Sequence, residues 1–165
     1  MSLILDGTNG LTFNNATTQA SAGQVLQVVQ GTYSTIASTS SNTWTNTGLT
    51  ASITPKFSTS KILASVFVQG CTKAAGTTGT QLALRLNRSS TTIITFATNA
   101  GDTSGNTGVD IGTVATQYLD SPATTSSTAY TLQFANDNNT GTVYINNNYF
   151  LGAVTSTIIL MEIAS

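Results

Sequence analysis

Apolar residues recur at every second position over much of the chain. Residues 80–88 place Leu82, Leu84 and Leu86 on one side and Gln81, Arg85 and Asn87 on the other, the period of a strand with one covered and one wet face. Residues 130–134 repeat the pattern, with Tyr130, Leu132 and Phe134 against Thr131 and Gln133. Further strands are predicted at 25–30, 32–38, 43–47, 49–54, 91–97, 113–119 and 142–146, all rich in β-branched and aromatic residues. Windows with a 3.6-residue repeat are missing. Turn chemistry separates the strands, as at Asp6-Gly7, Asn9-Gly10, Ala75-Gly76, Asp120-Ser121-Pro122 and 138–141. Roughly ten short, evenly spaced strands predict an all-β fold, an antiparallel β-sandwich of jelly-roll type, with an elongated triple-β structure as its rival.

Two stretches depart from simple alternation. In residues 61–71, Ile62, Ala64, Val66 and Val68 share one face while Leu63, Phe67 and Cys71 occupy the other. At the C-terminal end, Ile158 and Leu160 are opposed by Ile159, Met161 and Ile163. A strand apolar on both faces lies between two layers or packs against another subunit. The second explanation suits a domain of this size, which makes Phe67, Ile159 and Met161 candidate interface residues. The strand pattern breaks near residues 20–24, dividing the chain into an arm, 1–23, and a body, 24–165. Such an arm has too few apolar residues to fold alone and must pack on its own body, sister chains or a larger partner. The polar run 38–47, which contains Trp44, is predicted as a strand edge.

Composition narrows the chemistry. Only 7% of the 165 residues are charged, while 33 threonines, 18 serines and 14 asparagines supply the polarity. Disorder driven by charge is excluded by the 39% hydrophobic content and the net charge of -1. Five basic residues, Lys56, Lys61, Lys73, Arg85 and Arg88, are too few for a phosphate-binding stripe, so no nucleic-acid partner is expected. Membrane insertion is not expected either, because the longest aliphatic run, 158–161, is far short of the ~20 residues a spanning helix needs. Residues 1–6 lack a basic segment and a long apolar run, so the chain is expected to be made and assembled in a cytoplasm. With no histidine, imidazole bases, Ser-His-Asp triads and His-based zinc sites are excluded. Cys71 is the sole cysteine, which precludes an intrachain disulfide and suits a small core residue.

Carboxylates remain as candidate acids. Asp102 and Asp110 form the best pair for glycosidic chemistry, although each also suits a turn-capping role, and the oxygen-rich run 102–106 matches no full calcium-loop spacing. No catalytic, metal or cofactor site is therefore assigned. Asp120, before Ser121-Pro122, reads as structural and as an acceptor of local backbone N–H groups. Glu162 sits within an apolar strand, so it either reaches solvent at an edge or pairs with a base such as Arg85. Trp44, Tyr118, Tyr149 and Phe150 are candidate platforms for a sugar or protein partner, with Tyr149 and Phe150 the candidate receptor contacts beside a loop. The glycine-rich segments carry no phosphate-cradle pattern.

Particular phrases carry a resemblance. Residues 1–13, ending in Gly10-Leu11-Thr12-Phe13, and then Thr17-Thr18-Gln19 resemble the opening of structural proteins of tailed bacteriophages, especially aquatic ones. Where that family has Pro-Asp-Gly-Thr, this chain has Asn14-Asn15-Ala16-Thr17. Segments 44–55, 60–63, 119–126, 141–146 and 156–164 resemble phage tail-fibre and virion-surface β domains. The resemblance implies a homotrimeric virion appendage, anchored by its N-terminal arm to other virion proteins of the tail, baseplate or capsid. It implies no catalytic residues and no cofactor. A tail-fibre or receptor-binding module contacting a host surface glycan or protein is the leading expectation. A head fibre or capsid decoration protein is the alternative, and a polysaccharide-degrading spike a minor one.

Overall fold

The computed structural model describes residues 4–6, 10–12, 18–19, 24–74, 79–103, 108–148 and 152–164. Among them every regular element is a strand and every pairing is antiparallel. Three short strands open the chain, β1 (Ile4–Asp6), β2 (Gly10–Thr12) and β3 (Thr18–Gln19), and pair only with one another. The body follows with β4 (Val25–Tyr33), β5 (Ala37–Thr39), β6 (Thr45–Ile53), β7 (Lys61–Lys73), β8 (Leu82–Arg88), β9 (Thr91–Ala100), β10 (Val109–Asp120) and β11 (Thr128–Asn136). It closes with β12 (Val143–Ile145), β13 (Asn147–Asn148), β14 (Gly152–Ala153) and β15 (Ser156–Ile163).

Eight long strands make two sheets, β4-β15-β7-β10 and β6-β11-β8-β9, while β12 and β5 extend the first sheet beyond the end of β15. Counted in chain order, the long strands run first, eighth, third, sixth in one sheet and second, seventh, fourth, fifth in the other. Every connection except the β8–β9 hairpin crosses between the sheets. This is the arrangement of a jelly roll, so the predicted architecture holds.

The inner faces supply the core. Leu49, Ala51 and Ile53 of β6, Leu82, Leu84 and Leu86 of β8 and Tyr130, Leu132 and Phe134 of β11 face Ile62, Ala64, Val66 and Val68 of β7 and Ile158 and Leu160 of β15. Burying each large side chain contributes about 1.5–3 kcal/mol. Cys71 is fully buried in the same cluster, and burial pushes its thiol up to about 12, consistent with its expected role as core filler.

Two glycines let the layers approach on the β4 side. A Cβ on Gly31 would lie 2.2 Å from the Thr50 carbonyl oxygen, so β4 crosses β6 too closely for any side chain. Gly48 has a φ of 96°, and a Cβ there would meet the Tyr33 ring at 2.3 Å. It sits where the β6–β11 register shifts between Thr131 and Gln133, the place for a bulge.

Several predicted boundaries merge. The separate strands expected at 43–47 and 49–54 are one strand bent at Gly48, and β4 runs on to Tyr33. Glycine and small polar residues within these runs mark bends rather than breaks.

Candidate functional site

The two outer faces of the sandwich differ in chemistry. On the β4-β15-β7-β10 sheet, register places Val28, Met161, Leu63 and Leu119 directly opposite one another across all four strands. The next row is Gln30, Ile159, Ser65 and Gln117, and the third is Thr32, Thr157, Phe67 and Ala115. Val28 is 57% exposed, Leu119 49% and Phe67 39%, while Met161, Leu63 and Ile159 are half-buried. A strip of large apolar side chains therefore crosses an outer sheet face without a covering layer among the described residues. No charged residue occurs in the three rows; Lys61 stands at their margin.

Phe67, Ile159 and Met161, singled out from two-sided patterning, thus share this one face. Sequence periodicity missed Leu119 and Val28. Leu119 lies in a strand whose inner face carries Thr116 and Tyr118, so its own apolar contribution stands out only once the register is known. β10 also forms an edge of this sheet, since its backbone pairs with β7 alone.

The opposite face, on β6-β11-β8-β9, is polar. One row aligns Thr50, Thr131, Asn87 and Thr92, and the next aligns Asn46, Gln133, Arg85 and Thr95. Gln133 ties the second row together. Its Oε1 accepts from Arg85 Nε at 2.8 Å and from Asn87 Nδ2 at 3.0 Å, and its Nε2 donates to Asn46 Oδ1 at 2.7 Å. Trp44, just before β6, lies under the Arg85 guanidinium, 4.4 Å from Cζ to the ring centre, within the range of a cation–π contact.

Two carboxylates, Asp120 and Glu162, are held in hydrogen bonds to neighbouring elements. Asp120 is buried and accepts two bonds from Arg88 Nη1, at 2.8 and 3.0 Å, and one from the Tyr130 hydroxyl at 2.7 Å. These partners are side chains, not the local backbone N–H groups expected from the turn sequence. Burial, and then the hydrogen bond to Asp120, drive the Tyr130 hydroxyl well above its ordinary pKa.

Glu162 neither reaches solvent nor pairs with Arg85. It is buried at one end of the sandwich, where it accepts from Gln27 Nε2, from the Lys56 N–H at 2.7 Å and from the Phe57 N–H at 3.4 Å. Ser60, whose Oγ is buried there without a hydrogen bond of regular geometry, stands beside it. Burial alone would raise the Glu162 pKa, but the donors at this end outweigh it and hold the carboxyl below its ordinary value. The anion pins residues 54–60 onto the end of β15. Arg85 was the wrong partner because it projects from the other side of the other sheet.

Asp110 Oδ1 accepts the Gly112 N–H at 3.0 Å, an Asx turn, and Asp102 lies in a turn closed by its N–H to the Asn99 carbonyl. Among the described residues no three Cys, Asp or Glu side chains gather as a metal site. Tyr118 belongs to the inner face of β10, opposite Ala64, rather than to a free platform. Tyr149 and Phe150, the candidate receptor contacts, lie outside the described residues.

No protein-family model matches the chain, and no curated protein does. Among solved structures, the chain is similar to the infectious bursal disease virus VP2 subviral particle, at TM-score 0.42 and 15% identity over 86% of this chain and 38% of that one. A structure of the infectious bursal disease virus Gt strain gives TM-score 0.41 and 14% identity over 100% and 42%. The chain thus spans about two fifths of the length of these proteins. Values this low describe a loose likeness in β layering and assign no function.

Proposed function

We propose that this chain is a non-enzymatic structural subunit of a virus particle, a homotrimeric tail-fibre or receptor-binding module that attaches the particle to a host surface. The arm, 1–23, anchors it to neighbouring virion proteins. One observation carries the reading: the uncovered apolar strip from Val28 through Met161 and Leu63 to Leu119, flanked by Ile159 and Phe67. Apolar side chains in such a strip favour removal from water, at about 25 cal/mol per Å². The occupant that fits is a second copy of the chain. A face with no charge in its rows packs against another copy without repulsion, whereas a charged partner would find nothing there to pair with. Three copies closed about a threefold axis would bury the strip and stop further growth, as a closed point group requires.

The phage-like phrases in 1–13 and in the body support the virion setting. The sequestration of Asp120 and Glu162 in structural hydrogen bonds supports a binding rather than a catalytic role.

Gold-labelled antibody against this chain, applied to intact particles from the source and viewed by electron microscopy, tests the placement. Label at tail or fibre tips is expected. Label spread over the head would replace this reading with a head fibre or decoration protein, and absence from all particles would overturn the virion assignment.

A further inference from the structure

The polar outer face holds an unused donor group. No acidic residue enters its two central rows, and among the described residues Arg85 has no carboxylate partner, unlike Arg88, which is held by Asp120. Its Nε is committed to Gln133 and its guanidinium plane rests on Trp44, which together fix the direction of the fork. The two Nη groups have no protein acceptor among the described residues. Beside them, Asn87 is 4% exposed and its Oδ1 is buried without a hydrogen bond. A fixed donor fork therefore stands within a carpet of neutral amides and hydroxyls and next to a half-exposed indole.

We propose that this face, centred on Arg85, Trp44, Gln133, Asn46 and Thr95, binds a saccharide bearing a carboxylate. The carboxylate would take both Arg85 Nη groups, the geometry guanidinium matches best. Sugar hydroxyls would exchange hydrogen bonds with the exposed Asn46 and Thr95, and the C–H face of a ring would rest on the accessible part of Trp44. A polynucleotide is a poorer fit, because a single free cation cannot neutralise successive phosphates. A peptide is a poorer fit too, since the rows offer no apolar pocket. The inference rests on the attachment reading and names its ligand. Trimeric display would multiply weak sites into useful avidity.

Calorimetric titration of the full chain with trigalacturonate, 3′-sialyllactose and uncharged maltotriose tests the site. One of the two acidic sugars should bind, and which one identifies the carboxylate's source, while maltotriose should bind at least about tenfold more weakly. Arg85→Gln and Trp44→Ala should each weaken the acidic ligand by about tenfold or more with circular dichroism unchanged. Equal binding of maltotriose, no binding of either acid, or full affinity in both variants would overturn the proposal. Competition by soluble protein against particle attachment separates the two readings. If wild type and Arg85→Gln block attachment equally, the site falls and the attachment reading stands; if wild type fails to block, the attachment reading itself falls.

Discussion

At the scale of single residues, the buried ions are the sharpest features. Glu162 is a carboxylate kept charged in an apolar strand because Gln27 and two backbone N–H groups donate to it. Its folded pKa lies below the ordinary 4.5, so the unfolded chain takes up the proton first on acidification. Its contribution to stability is complete above that value and is lost as pH falls through the lower, folded value. Glu162→Gln keeps the shape, removes the charge and turns one acceptor into a donor facing N–H groups. It should cost about 1.5–3 kcal/mol near neutral pH, with the gap to wild type narrowing in urea melts taken below pH 4.5. A gap unchanged on acidification would remove the carboxylate from the account. The partners of Glu162 and Asp120 were not legible in the sequence, because most lie far along the chain: Gln27 is 135 positions from Glu162 and Arg88 is 32 from Asp120. Alternation could show that Glu162 points inward, but not what waits there.

At the scale of elements, the strand pattern was largely readable. Alternation in β8, β11 and β15 fixes which residues enter the core, and two-sided patterning in β7 and β15 marks the strands whose outer faces carry Phe67, Ile159 and Met161. Failures came at glycine bends, where one long strand looks like two. Gly48 is the clearest case, since its positive φ and the Tyr33 ring above it exclude a side chain for two independent reasons. Gly48→Ala should therefore destabilise by well over ~1 kcal/mol, seen as a lower urea midpoint with an unchanged slope. A neutral effect would mean that Tyr33 does not hold β4 against this bend. The extra apolar content of Leu119 was hidden for a related reason: its significance depends on lying opposite Leu63, a register that only the folded sheet defines.

At the scale of the whole molecule, a jelly roll with one apolar and one polar outer face is a two-sided object. In the proposed reading its apolar side meets copies of itself and its polar side an acidic saccharide; the same fold serves capsid and lectin domains, so the faces and not the fold carry the proposal. The most direct measurement is sedimentation equilibrium of the full chain, alone and with Phe67→Asp or Leu119→Lys. Both positions are well exposed in the single chain, so a charge there burdens association far more than folding. The account predicts a wild-type mass three times 17.0 kDa and variants at the single-chain mass with unchanged circular dichroism. A wild type that remains at 17.0 kDa, or variants that still assemble as trimers, would contradict it.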